Sequence, residues 1–348
     1  MPTQIVRPGT QIDFLGKWRV CAMLSVSLIL IGLAAIPVRG FRLGIDFAGG
    51  NEVQVRFPEA AAVDEGRIRD VMQDLGIDGA SVVRYGAADA NEFLLKFAGE
   101  RDLGSEAGPP AVSAATEGEP AEAPAPSDET PAEGAAAAAT EGEGTRTPDS
   151  VKLLVAALED QIGPLELERV EFVGPKVGAE LRRAGLQALG LACLLILGYI
   201  GFRFSARFAP GAVVALVHDV LITSGIWVLL GLEFDLRVLA ALLAIVGYSL
   251  NDTIIVYDRI RENMEIRTTH SLQDVLNQSV NQTLSRTLLT SVTTLLAVLS
   301  LLFLGGAVIQ PFALAMAIGI LVGTYSSIYV AAPTLMVLER RFGGAPAT

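Results

Sequence analysis

The chain is 348 residues long, 51% hydrophobic and 18% charged, with a formal net charge of −12. A mean hydropathy of +0.47 is too high for an ordinary soluble protein and points to an integral membrane protein. The net charge says little about partners: residues 103–148 hold nine acids and one base, and the rest of the chain is only mildly acidic. Nothing here suggests nucleic acid. Two histidines and two cysteines leave little for a metal or covalent enzyme, and Cys21 and Cys193 both sit inside apolar runs. No Walker motif or Gly-rich nucleotide loop is present.

Residues 20–38 form the first apolar run, close to the ~20 residues that cross a bilayer. Lys17 and Arg19 precede it and no small-x-small cleavage site follows. It reads as an uncleaved span, with residues 1–19 on the cytoplasmic side. A polar region, 39–183, comes next. Residues 53–57 alternate as a strand should, 63–75 carry apolar residues at helical spacing, and 81–85 and 92–97 read as two further strands. Residues 103–148 are Ala, Glu, Pro, Gly and Thr with almost no bulky apolar side chain. They are expected to be disordered, a tether or insertion. Pattern resumes with a helix at 150–162 and a strand at 165–172. The resulting order, βαββαβ, predicts a small α+β, ferredoxin-like domain between the first two spans.

Five further spans are predicted at 184–202, 210–232, 238–257, 288–304 and 312–338. Arg203 and Arg207, then Arg259, Arg261 and Arg267, then Arg340 and Arg341 fall on one side. The other side has Glu233 and Asp235 or no charge. This places both termini, including the tail 339–348, in the cytoplasm and the polar domain outside it. The loop 258–287 is predicted to hold a short interfacial helix at 271–284.

Residues 238–261 begin as a span and are then interrupted by Asn251 and Asp252. An ionised aspartate in mid-span costs about 2.5–3.5 kcal/mol on insertion scales, so an ion or substrate pathway is the functional reading. The bland reading is that Asp252 lies near a helix end and snorkels to water. Arg286 opens the fifth span, and Thr290, Thr293 and Thr294 continue its face. Asp252 and Arg286 are expected at similar depth, either as an exchanging pair or as a static ion pair fixing helix register. Beside an arginine a buried carboxylate stays ionised; away from one, desolvation favours the neutral acid. His218 and Asp219, in the third span, read equally as a proton relay or as hydrogen-bonded packing residues. Gly319 and Gly323 form a G-x-x-x-G, a helix-packing signal.

Six stretches carry a resemblance: GIDFAGG at 44–50, VEFVGPKVGAEL at 170–181, ALVHDV at 215–220, GYSLNDTIIVYDRIREN at 247–263, LSRTLLTSVTT at 284–294 and GTYSSIYV at 323–330. Together they resemble the SecF family of SecDF protein-export subunits, in the RND superfamily, over nearly all of the chain except 103–148. The resemblance implies a six-helix protein of the bacterial inner membrane with an extracytoplasmic domain. It implies pairing with SecD, work with the SecYEG channel, SecA, a translocating preprotein, and further with YajC and YidC. It also implies use of the proton-motive force without an enzymatic reaction or cofactor. The family's intramembrane aspartate and arginine fall on Asp252 and Arg286. Its glycine motif falls on Gly44, Gly49 and Gly50, read physically as a tight turn that Asp46 caps. The alternatives are an RND-type exporter of small or lipid-like molecules and a passive translocon scaffold.

Overall fold

Helix signals punctuate each apolar run. Pro175 follows the N-cap Gly174, Pro210 stands in the first turn of the next helix, and Ser271 accepts a hydrogen bond from the Asp274 N–H at 3.2 Å. Gly231, at φ +69°, ends the third long helix in the left-handed region. The result, in a computed structural model describing residues 11–58, 63–77, 79–85, 91–97, 149–204, 207–266 and 271–342, is a bundle of long helices beneath a small sheet. The helices are α1 (Trp18–Arg39), α5 (Pro175–Arg203), α6 (Ala209–Leu230), α7 (Leu236–Ile266), α8 (Leu272–Leu304) and α9 (Gly306–Ser326), the last continuing through a π-helical segment, Ser327–Ala331, into α10 (Ala332–Phe342). Among the described residues, six helical stretches are long and apolar enough to cross a membrane.

Two expectations for the long helices need correcting. The interfacial helix predicted at 271–284 is not separate: α8 starts at Leu272 and runs unbroken for 33 residues. No Gly or Pro lies between 272 and 304 to stop it. Its apolar face, with Val275, Leu276 and Val280, is buried within the bundle rather than spread on a surface. The sixth span starts at Gly306, not 312, because Gly305 and a left-handed Gly306 (φ +74°) complete the turn from α8. Farther along, Pro333 supplies no N–H to the turn before it, and the helix widens there. The Tyr257 hydroxyl donates to the Ala331 carbonyl at 3.1 Å.

Small residues set the closest crossings. A Cβ on Gly32 of α1 would lie 2.8 Å from Gly225 Cα of α6, so these backbones touch. Gly319 of α9 faces Ile245 of α7, and a Cβ on Gly323 would lie 2.9 Å from Ser249 Cβ. The G-x-x-x-G therefore packs α9 on α7, the helix that carries Asp252.

The small unit has strands β1 (Gly50–Arg56), β2 (Ser81–Tyr85), β3 (Glu92–Phe97) and β4 (Glu166–Val173), with helices α3 (Glu65–Asp74) and α4 (Asp149–Gln161). The predicted order βαββαβ is present, and all pairings are antiparallel in the order β2–β3–β1–β4. Alternation sends Val53, Val55, Phe93 and Leu95 to one face, against Ile68 and Met72 of α3 and Leu154 and Leu158 of α4, all fully buried. Burying each such side chain contributes about 1.5–3 kcal/mol. Glu52, Gln54 and Lys96 take the other face, toward the bundle. The expectation for 103–148 lies outside the described residues.

Residues 44–50 are expected as a tight turn and instead include one helical turn, α2 (Ile45–Ala48), before Gly49 (φ +79°) swings the chain into β1. A Cβ on Gly49 would meet Pro175 Cα at 2.8 Å, so α2 sits directly on the start of α5.

Candidate functional site

Asp252 is fully buried, sixteen residues into the 31-residue α7. That is about 24 Å along the helix. It does not extend toward an end; its side chain lies between α8 and α9. One carboxylate oxygen accepts the Ser291 hydroxyl at 3.4 Å, and the other has no hydrogen-bond partner among the described residues. Ser291 is shared: its oxygen is also 2.7 Å from Thr324 Oγ1 of α9, and Thr324 donates to the Ile320 carbonyl at 2.7 Å. Three helices thus meet at one under-satisfied carboxylate. A proton on Asp252 converts an acceptor into a donor and frees Ser291 to commit to Thr324.

Asp219 is the contrasting case. It is also fully buried, but it is saturated with partners. Its Oδ1 lies 2.9 Å from His218 Nδ1, and its Oδ2 accepts from Ser249 at 2.5 Å and Ser326 at 2.8 Å. The chain continues from His218 Nε2 to Ser25 Oγ at 3.0 Å, and from there to the Tyr325 hydroxyl at 3.1 Å, which donates to the Cys21 carbonyl at 2.8 Å. This network joins α1, α6, α7 and α9. Ser249 lies one turn before Asp252 on α7 and so links the two buried acids through one helix.

The other two polar residues expected at the site make no direct contact with Asp252, although Arg286 lies near enough for its charge to act on that carboxylate. Asn251 and Arg286 lie on exposed faces of their helices. Among the described residues no ion pair joins Arg286 to Asp252. The reason is angular: Ser291 faces Asp252, and Arg286 precedes it by five residues, which is about 140° around a helix. Thr290, Thr293 and Thr294 each donate to a carbonyl four residues back, at 3.1, 2.9 and 2.9 Å.

The glycine motif forms a second constellation at the opposite end of the bundle from residue 266. Asp46 does cap a helix, but not its own turn: its Oδ2 accepts the Leu236 N–H, the first of α7, at 3.0 Å. Gly44 N–H donates to the Phe234 carbonyl at 2.8 Å, and Phe234 N–H donates to the Arg42 carbonyl at 2.8 Å. A Cβ on Gly44 would lie 3.0 Å from Asp235 Cβ. Lys96 of β3 reaches Glu233 at 2.7 Å and Glu52 at 3.4 Å. Burial opposes the Lys96 charge, but the hydrogen bond and charge of Glu233, with Glu52 behind it, outweigh burial and hold the amine above its ordinary pKa. Between sheet and bundle lies a cleft of about 790 Å³ that Arg42, Asp46, Glu52, Lys96, Asp235 and Arg237 help to line. Apolar side chains, among them Leu94, Trp227, Leu302, Phe303 and Leu314, make up much of the rest of its lining.

Sequence reading missed Ser25, Ser249, Ser291 and Thr324 as partners of the buried acids. Ser249 was findable, three residues before Asp252 and on its face. Nothing local singles out Ser25 or Ser291, whose roles depend on helix pairing. Among the described residues no group of three or more metal-ligating side chains converges.

Residues 154–341 match the family described as protein export membrane protein SecD/SecF, C-terminal, and residues 34–57 match the SecD/SecF GG motif. The chain is 37% identical to the protein translocase subunit SecF of Calditerrivibrio nitroreducens, over 97% of each chain. The chain belongs to the SecF family. The SecF of Pseudomonas aeruginosa is also 37% identical, over 96% of this chain and 93% of its own. Among solved structures, the crystal structure of SecDF from Thermus thermophilus, a translocon-associated membrane protein, superposes with a TM-score of 0.75 at 33% identity. That match covers 98% of this chain, which spans 40% of the longer SecDF chain. The GG motif of the SecF family is thus the segment that holds α2, β1 and the start of α7 together.

Proposed function

We propose that this chain is a SecF subunit of the Sec preprotein translocase that couples the proton-motive force to protein movement across the bacterial inner membrane. In this reading it pairs with SecD and works with SecYEG and SecA, with YajC and YidC as further partners. Both termini are cytoplasmic and the small α+β unit, taken as ferredoxin-like from its strand order, is extracytoplasmic. One observation carries the coupling role: Asp252 is buried in mid-helix with one oxygen unpartnered and the other held only by a shared hydroxyl. A buried group left this poorly satisfied is held at a cost of about 1–3 kcal/mol, more when charged. That cost is relieved by a proton or by the approach of a cation. Arg286, exposed on α8, is that cation when SecD packs against this side or α8 turns. The saturated His218–Asp219 network keeps α1, α6, α7 and α9 in register and relays protons along its hydroxyls.

Magnitude favours more than one charge per cycle. Moving one charge through 100 mV supplies about 2.3 kcal/mol, whereas a switch from 1:99 to 99:1 needs about 5.5 kcal/mol. More than one proton, or a pH gradient added to the potential, therefore has to contribute.

The test is export of a secreted preprotein in cells whose only copy carries Asp252→Asn, with protein level and co-purification of SecD followed in parallel. Export driven by the proton gradient should fall roughly fivefold or more, the size of a coupling free energy of ~1 kcal/mol or above, while assembly stays normal. Normal export would remove Asp252 from the mechanism. Loss of export only on deleting the whole chain would favour the scaffold reading.

A further inference from the structure

The N-terminus of α7 is capped at two different N–H groups, one from nearby and one from far along the chain. Asp235 already caps it locally, its Oδ1 accepting the Val238 N–H at 2.9 Å and its carbonyl the Leu239 N–H at 3.1 Å. The Leu236 N–H is nonetheless given to Asp46, 190 residues away in sequence. Local stability does not require so distant a partner. What Asp46 adds is a connection, because α2 leads through Gly49 and Gly50 directly into β1, the strand paired to both β3 and β4.

The surrounding contacts make this connection stiff. Residues 42–44 pair with Phe234 through two backbone hydrogen bonds, and a side chain at Gly44 would crowd Asp235. Phe41 and Phe47 pack on Phe234 from two sides, at 5.0 and 6.4 Å between ring centroids. The Trp227 indole donates to the Glu233 carbonyl at 2.9 Å and fixes the same loop to α6. Lys96 ties the loop to the sheet independently, through Glu233. A rigid helix whose first turn is clamped in this way cannot slide or tilt without carrying α2 and β1 along.

We infer that the strap of residues 42–46 on residues 233–237 transmits displacement of α7 to the external α+β unit, with Asp46 as the positioning residue. The inference rests on the proposed role of Asp252, since α7 is the helix that carries it. It assigns the GG motif a mechanical part in energy coupling, with Asp46 acting through the first turn of α7.

The experiment uses the full chain reconstituted with SecD, Cys21 and Cys193 replaced by alanine, and spin labels at Glu159→Cys on the external unit and Leu304→Cys on the bundle. Distances are compared between Asp252 and Asp252→Asn backgrounds, the latter standing for the protonated acid. With Asp46 present, Asp252→Asn should shift the distance distribution by at least the ~1–2 Å of a helix displacement. Asp46→Ala should reduce the shift to less than half, the backbone bonds to Phe234 and the Lys96–Glu233 pair carrying the remainder, and Asp46→Asn, whose amide oxygen still accepts from Leu236, should restore it. Should Asp46→Ala not accumulate, Leu236→Pro removes the donor instead, at a first helical position where proline is tolerated, and should reduce the shift to the same extent. In export assays Asp46→Ala should lose part of the proton-driven transport that Asp252→Asn loses, and the double variant should lose no more than Asp252→Asn. A shift that persists at full size in Asp46→Ala and in Leu236→Pro overturns the positioning role of Asp46 and leaves the role of Asp252 standing. No shift in any background removes both.

Discussion

At the scale of single residues, the two buried acids differ in how many donors they meet. Asp219 has three side-chain partners and Asp252 has one, at 3.4 Å. A carboxylate with a full set of donors is fixed in place; one without is poised to change state. Ser249→Ala takes one donor from Asp219 and should cost about 1–3 kcal/mol, read as a lower thermal midpoint in detergent. An unchanged midpoint would mean that Asp219 is not held by this network. Lys96 offers a pH test outside the membrane. Its folded pKa is raised, so its stabilisation is fully present below the unfolded lysine value of about 10.4 and is lost as pH rises past the higher folded value. Lys96→Met should therefore destabilise by a gap that is constant from pH 7 to about 10 and closes above that. A gap already closing near pH 8 would exclude the Lys96–Glu233 pair as its source.

Among the elements, glycine decides where helices meet. Gly32 and Gly225 bring α1 against α6, and Gly319 and Gly323 bring α9 against α7. These contacts position the polar network, since Ser25 comes from α1, Ser249 from α7 and Ser326 from α9. Gly225→Val should force α1 away, separate Ser25 from His218 and cost about 1–3 kcal/mol of overpacking or more. The measurement is thermal unfolding combined with disulfide trapping between cysteines placed on α1 and α6; retained trapping at wild-type rate would show that the crossing tolerates the added bulk. The unbroken α8 belongs at this scale too. Its lower half, with Asn277 and Asn281, binds the backbone of residues 12–15, and its upper half holds Ser291 against Asp252. A single rod therefore links the N-terminal segment to the buried acid.

For the whole molecule, the relevant question is which parts move as one. The sheet is clamped to the start of α7 by the strap and by Lys96, and residues 103–148 fall in the sequence between β3 and α4. Replacing 103–148 by a short Gly/Ser linker should leave thermal stability within about 1 kcal/mol, since closure entropy varies slowly with loop length, and export unchanged. A loss of export with stability retained would give the segment a binding role instead.

The sequence alone determined the class, the six spans, the order βαββαβ and the candidacy of Asp252, because hydropathy, alternation and an intramembrane charge are properties of short windows. It also carried the family motifs. It misplaced the cap made by Asp46, split α8 in two and left open whether Asp252 and Arg286, set at similar depth, are joined by a direct ion pair. Each of those depends on the rotation of one helix against another, or on a contact across 190 residues, and a local window does not contain that information. Only tertiary structure decided that Asp219 is saturated and Asp252 is not. Which hydroxyls reach a carboxylate is set by helix crossings, and those crossings are set by glycines that carry no polar signal of their own.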